Sequence, residues 1–199
     1  DLLQLCAQKY AELCYYTYDC TIARKNTAID LHFTFFAFEF RHLAGLHRLE
    51  HDRLRSNSER VFKDILSCKL TLADLRQAHN WSTESEKNLS RLEALSQLDT
   101  LMDEFLLLYG FSGEKLAAQT PPLRTKIDAD YLIKTSFLLV ITFFFFGQAE
   151  GGYCGRSLFI NNELDYSRGQ TKFTLLEKTK TNLRTGEQIL LYRRSTYQK

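Results

Sequence analysis

The densest group of titratable side chains is His42-Leu-Ala-Gly-Leu-His47-Arg-Leu-Glu-His51. Read as H-x-x-E-H, the residues His47, Glu50 and His51 match an inverted zinc-peptidase pattern. On a helix, two histidines four residues apart share a face and can hold zinc while the glutamate activates water. The pattern fixes only three positions in five, and nothing downstream singles out a third ligand. A solvated helical face carrying Arg48, Glu50, Asp52 and Arg53 is therefore the favoured reading, with no metal site expected. His42 and His47 also suit proton transfer, because imidazole titrates close to neutral pH. Their separation of five is not a same-face helical spacing, so each is weighed alone, as general base or acid or as a hydrogen-bonded structural histidine.

A second set is basic: Arg156-Ser157, Tyr166, Arg168, Gln170, Lys172, Thr174, Lys178, Lys180 and Arg184, with Lys126 as an outlying addition. Lys172, Thr174, Lys178 and Lys180 are evenly spaced, so a regular strand would carry all four on one face. Such a face suits the phosphates of single-stranded RNA, with aromatic rings for base stacking. Arg156 can grip a phosphate with two parallel hydrogen bonds, as lysine cannot. The competing reading is the solvated side of a half-buried sheet. Charge asymmetry favours an anionic ligand at this end: residues 1–112 carry a net −3 and residues 113–199 a net +5.

Elements must hold these groups in place. Leu3, Cys6, Tyr10, Leu13 and Tyr16 recur at spacings of three and four and predict a first helix. Ile29, Leu31, Phe33 and Phe35 alternate with polar residues, which predicts a half-buried strand. Helical signals dominate from Phe40 to about Leu108. Thr71 with Asp74 and Thr83 with Glu86 look like capping boxes, and Leu89, Leu92, Leu98, Met102 and Phe105 form the buried stripe of a long helix. After Gly110-Phe-Ser-Gly113 and Pro121-Pro122 the period changes to that of strands. These are expected at Tyr131–Ile133, Leu138–Phe146, Arg156–Ile160, Lys172–Lys178 and Gln188–Arg193, with a turn at Asn182–Gly186. The expected fold is one α+β domain over 1–199. It has an N-terminal helical half (1–112), then a twisted antiparallel sheet (113–199) that one early strand joins.

Composition narrows the class. The 25 Phe and Tyr residues exclude a disordered chain, and 9 Gly with 2 Pro exclude collagen-like sequence. Five cysteines without a CxxC argue against a zinc ribbon and for buried thiols in a reducing, cytoplasmic compartment. No signal peptide is read at the start. The apolar run Phe137–Phe146 is too short to span a membrane as a helix and reads as a buried strand.

Phe40-Arg-His42-Leu-Ala-Gly45-Leu resembles the Phe-x-His-Leu-x-Gly-Leu element of a phage-associated nuclease-like family, the fourth phage group of the barnase–EndoU–colicin–RelE-like superfamily. Tyr153-Cys-Gly-Arg156-Ser157-Leu-Phe159, Asp165-Tyr166-Ser-Arg-Gly-Gln170-Thr-Lys172-Phe-Thr174, and Lys178 with Thr185-Gly-Glu187 resemble its strand and turn signatures. Gly155, standing between Cys154 and Arg156, and Leu158, in place of an aromatic, depart from the pattern and leave the register of the Arg-Ser strand open. The resemblance implies a barnase/RelE-like nuclease fold and a ribonuclease needing neither metal nor cofactor, as toxin or phage-defence effector. It would cleave tRNA or mRNA by 2′-OH attack to a 2′,3′-cyclic phosphate, with an antitoxin or immunity protein as a candidate partner. It further implies His42 or His47 as base or acid and Arg156 and Lys178 on the phosphate. Ser157, Tyr166 and Gln170 would position substrate, with Lys126, Lys172 and Thr174 as further substrate contacts. Two alternatives stay open: a non-catalytic RNA- or protein-binding module, and the zinc hydrolase built on His47, Glu50 and His51.

Overall fold

The computed structural model describes residues 1–137, 140–161 and 163–197. The chain opens with α1 (Leu2–Leu13), capped by the Asp1 carboxylate, which accepts hydrogen bonds from the amides of Leu3 and Gln4. Its buried face is Leu3, Cys6, Ala7, Tyr10 and Leu13, close to the expected stripe, but Tyr16 already belongs to a strand. That strand, β1 (Tyr16–Arg24), pairs antiparallel with β2 (Thr27–Phe33) through a turn in which Lys25 and Asn26 both have positive φ. Asparagine tolerates that region, which makes a tight two-residue hairpin feasible without glycine.

The expected continuous helical region is broken. It comprises α2 (Phe40–Leu43), α3 (Ser58–Leu66), α4 (Leu72–Leu75), α5 (Trp81–Ser96) and α6 (Leu98–Glu104), with single 3-10 turns at Ala37–Glu39, Leu46–Arg48 and Asp52–Arg55. The Thr71–Asp74 capping box is present at α4. The expected box at Thr83 is not: α5 begins earlier, after Asn80, and the Thr83 hydroxyl donates back to the Asn80 carbonyl.

The remaining elements are β3 (Leu107–Gly110), α7 (Gly113–Ala117), β4 (Tyr131–Phe137), β5 (Val140–Ala149), β6 (Gly152–Ile160), β7 (Thr171–Asn182) and β8 (Gln188–Arg193). Leu138 and Leu139, expected in the β5 strand, lie outside the described residues.

The sheet overturns the expected architecture. Strand order runs β1-β2-β6-β5-β4-β3-β7, and β7 returns to pair with β1, closing a seven-stranded barrel; β8 is an additional strand on β7. Three of the seven strands come from the first 112 residues, so this is not a helical half followed by an open sheet. Closure depends on β1, which pairs with β2 on one side and β7 on the other, and on a short parallel contact where Phe33 meets Tyr153. There the amide of Thr34 donates to the Tyr153 carbonyl at 2.9 Å. Closing the sheet in this way pairs β1 on both sides, while β2 meets β6 only at its C-terminal end.

Successive side chains of β5 serve two cores. Phe144 and Phe146 join a large core shared with the helices, while Phe143 and Phe145 pack with Phe111, Leu116 and Leu132 on the other face. Burial on both faces explains an unbroken run of phenylalanine where alternation was absent. Cys6, Cys20 and Cys154 are buried, whereas Cys68 is exposed. Among the described residues no helix is long and apolar enough to cross a membrane.

Candidate active-site cleft

A cleft of about 1170 Å³ lies between α5, the turn after α2, the 124–128 segment and β6. His42 and His47 stand at its wall with their rings stacked, centroids 4.2 Å apart and planes 18° from parallel. The sequence spacing of five gave no reason to pair them. The turn does: α2 stops at Ala44, Gly45 takes φ +73°, and the 3-10 turn Leu46–Arg48 folds His47 back over His42. The entry to α2 is held by buried Glu39, whose Oε2 accepts from the Phe36 amide (2.8 Å) and the Tyr10 hydroxyl (3.0 Å). Burial raises the pKa of that carboxyl.

Both imidazoles are held below the usual histidine range. Both residues are exposed at the cleft wall, so the effect on them is one of partial desolvation: for His42 this is the main cause, followed by the positive charge of Arg91. For His47 partial desolvation again comes first, then His42, Arg48 and Arg91, and its pKa is pushed down to about 4. The backbone of Arg156 at His42 and of Arg41 at His47 favours the protonated ring, which opposes the shift without cancelling it. In a neutral imidazole, donating the single N–H to a carbonyl leaves the other nitrogen as a lone-pair acceptor. The pair is thus neutral at physiological pH, in the form that has a lone pair to accept a proton, but each ring is a weaker base than a free imidazole.

Arg156 sits on a β-bulge. Phe145 pairs with Ser157 and Phe146 with Gly155, which leaves Arg156 as the extra residue of β6. Bulges re-aim side chains. Here the exposed Arg156 side chain lies across Gly147, where a Cβ would come within 2.5 Å of its Nε, and Nη2 donates to the Gln148 carbonyl at 2.6 Å. Gly155, the departure from the family pattern, lets β6 approach α2: a Cβ there would lie 3.1 Å from Leu43 Cδ1 and 3.0 Å from Phe144. The register left open by that glycine resolves as this bulge.

Ser157 and Lys126 also line the cleft. So does Tyr166, packed against Phe143, Phe145 and Phe159 with centroids 5.1 to 5.8 Å away. Its loop is fixed by Asp165, which accepts from the Ser167 amide and hydroxyl and from Lys134 (2.9 Å). Burial works to raise the Asp165 pKa, but these hydrogen bonds outweigh it and the net direction is down. Burial raises the pKa of Tyr166, keeping the phenol protonated.

The other expected site residues lie elsewhere. Lys178 does not line the cleft. It is buried, and its ammonium donates to the carbonyls of Met102, Asp103 and Phe105 at 2.7 to 3.0 Å, closing the C-terminal end of α6. Desolvation lowers its pKa to about 8. The even spacing Lys172, Thr174, Lys178, Lys180 does not give one face, because Leu176 is an extra residue between the Ile22–Leu175 and Thr21–Glu177 pairs. Lys172 and Thr174 are exposed, while Lys178 and Lys180 turn toward α6, Lys180 pairing with Asp103 at 2.9 Å. The Gln170 side chain exchanges two 2.9 Å hydrogen bonds with the backbone of Ser112. The helical premise of the zinc motif also fails: His47 lies in the 3-10 turn Leu46–Arg48, Leu49 is extended, and His51 caps a separate turn by accepting from the Arg53 amide. Among the described residues no three His, Cys, Asp or Glu side chains converge as metal ligands.

Sequence reasoning missed Arg48, Lys87, Arg91 and Arg124 as lining cations. With Lys126 and Arg156 they make six positive groups against Glu86, Asp128 and Glu163. Arg91 carried a readable signal, since Asn88, Arg91 and Leu95 share a helical face and all three are buried.

A family model described as phage-Barnase-EndoU-ColicinE5/D-RelE like nuclease 4 matches residues 2–195. The chain belongs to this nuclease family. The match takes in the His42–His47 turn, the Arg156 bulge and the Tyr166 loop, so the whole cleft lies within the family's extent. No curated protein and no solved structure matches the chain significantly.

Proposed function

We propose that the protein is an endoribonuclease that cleaves RNA without a metal ion, acting as a toxin or phage-defence effector on tRNA or mRNA. The observation that carries this reading is the stacked His42–His47 pair, neutral at physiological pH in a cleft where cations outnumber carboxylates. A neutral imidazole removes the 2′-OH proton, the 2′ oxygen attacks the adjacent phosphorus, and the bond to the 5′ oxygen breaks. The products are a 2′,3′-cyclic phosphate and a 5′-OH end. Arg156 and Lys126 offset charge on the non-bridging oxygens, the kind of contribution that is often the largest in catalysis. The Tyr166 phenol is the neutral donor for the leaving oxygen. A cleft of this volume exceeds the ~300–1,000 Å³ typical of small-ligand pockets, which favours a polymer over a mononucleotide.

The test is incubation of purified protein with labelled tRNA and mRNA in excess chelator, followed by end-group analysis. Chelator-resistant cleavage leaving cyclic phosphate is expected, and it should vanish in His42→Ala and Arg156→Ala. Absence of cleavage by folded protein would replace this reading with a binding module. Cleavage abolished by chelator would overturn the metal-free mechanism.

A further inference from the structure

Arg91 is 7% exposed, and a guanidinium this enclosed is costly unless its donors are satisfied. Its Nη1 reaches two backbone carbonyls, those of Leu43 (3.4 Å) and Leu158 (3.1 Å), and the group lies 5.6 Å from the centre of the Phe159 ring. Leu43 directly follows His42, and Leu158 directly follows the Arg156–Ser157 pair. One side chain of α5 therefore ties together the two segments that supply the imidazoles and the bulge. The family glycine makes room for it: a Cβ on Gly45 would lie 2.7 Å from Arg91 Cδ.

We propose that Arg91 is the positioning residue of the cleft: its guanidinium clamps the His42 turn to the Arg156 strand and presents a fixed positive charge to both imidazoles. The cations acting on the two rings come from three elements, Arg48 from the turn itself, Arg156 from β6 and Arg91 from α5. Arg48 and Arg156 are exposed, whereas Arg91 is buried; Arg91 is the leading charge on His42, while on His47 it follows His42 and Arg48. Of the carboxylates nearby, Glu84 on α5 acts on Arg91, and Glu86, Asp128 and Glu163 line the cleft. Arg91 itself stays charged, with burial lowering its pKa only to about 10. Protonating either imidazole places a second positive charge beside it, so the clamp also keeps the pair in its proton-accepting form.

The kinetic consequence rests on the ribonuclease reading; the electrostatic one does not. Imidazole titrations by NMR on the wild type, Arg91→Gln and Arg91→Lys separate them. In Arg91→Gln the His42 midpoint, on which Arg91 is the leading charge, should rise by about one pH unit, the scale of a screened like-charge neighbour, and the His47 midpoint by less. Arg91→Lys keeps the charge but loses the fork, so its midpoint should stay low. In both variants kcat on RNA should fall about tenfold with KM little changed, because misplacement acts on the reacting geometry. The acid limb of the pH profile should move in Arg91→Gln alone. Unchanged histidine midpoints in folded Arg91→Gln would overturn the clamp's electrostatic role. If circular dichroism shows that Arg91→Gln does not fold, Arg91→Lys decides: wild-type kcat would overturn the clamp, and a tenfold loss at an unchanged midpoint supports it. If the wild type cleaves no RNA, the ribonuclease reading falls, and the midpoints alone judge the inference.

Discussion

Replacing Gly45 by alanine strikes the cleft at its tightest point. The residue has φ +73°, and the new methyl group would lie 2.7 Å from Arg91 Cδ and 2.8 Å from Asn88 Oδ1. The left-handed backbone costs an L-residue about 1–2 kcal/mol. Forcing a methyl group into a filled site costs about 1–3 kcal/mol more. A total near 2–5 kcal/mol follows, and in a chain of this length it lowers Tm by roughly 4–20 °C. Urea unfolding followed by the fluorescence of Trp81, the one tryptophan, gives the free energy directly if the slope m is unchanged. The two contributions separate in the Arg91→Ala background, where the Cδ that the methyl group meets is gone. There Gly45→Ala should cost about 1–2 kcal/mol less than in the wild type, a coupling between touching groups. A loss under about 1 kcal/mol, or costs that add within about 0.5 kcal/mol, would refute the close approach of Gly45 and Arg91.

Four further outcomes follow from the same geometry. Because both imidazoles are held below the ordinary range, kcat/KM should keep its plateau down to mildly acidic pH and fall only as the pair takes up a proton. An acid limb centred at about 6.5, the ordinary histidine value, would contradict the partial desolvation of the pair and the positive charges around it. Stability should already drop across that plateau, as pH falls from about 6.5, where the unfolded chain binds these protons, to about 4, where the folded chain binds the His47 proton. Arg156 is exposed, so Arg156→Ala should leave Tm within a few degrees while kcat falls by about 10²–10³, as for loss of one charge-stabilising group. Lys178→Met should do the reverse. Three carbonyls lose their donor, partly offset by relief from burying a charge, for a net loss of roughly 2–4 kcal/mol with little change in RNA affinity of the folded fraction. Loss of cleavage in stable Lys178→Met protein would instead bring this lysine into the reaction.

Much of the local structure was legible. The first helix, the Ile29–Phe33 strand, the α4 capping box and the Gln188–Arg193 strand all follow from period, cap and turn residues. The barrel was not legible, for a physical reason. Its closure rests on pairings between segments more than 100 residues apart, and a period of two says that a residue is in a strand without saying which strand lies beside it. β1 escaped notice because Tyr16 also completes the helical spacing of α1, and β3 because four residues are too few to show a period.

The candidate site shows the same limit in sharper form. His42, His47, Arg156, Ser157, Tyr166 and Lys126 meet in the cleft, and each was visible as a residue type or in a motif. Lys178 was visible too, yet lies elsewhere, and the difference is one residue of register. At Leu176 an extra residue turns Lys178 inward against α6; at Arg156 an extra residue lays a cation across β5 beside the His42 turn. A strict period of two would carry Arg156 on one face with Cys154 and Leu158, both of which are buried. The bulge is what frees that position to hold an exposed cation within a closed barrel. Gly155 and the irregularity at Arg156 are therefore one feature, and it is the point at which strand periodicity yields to the demands of the cleft.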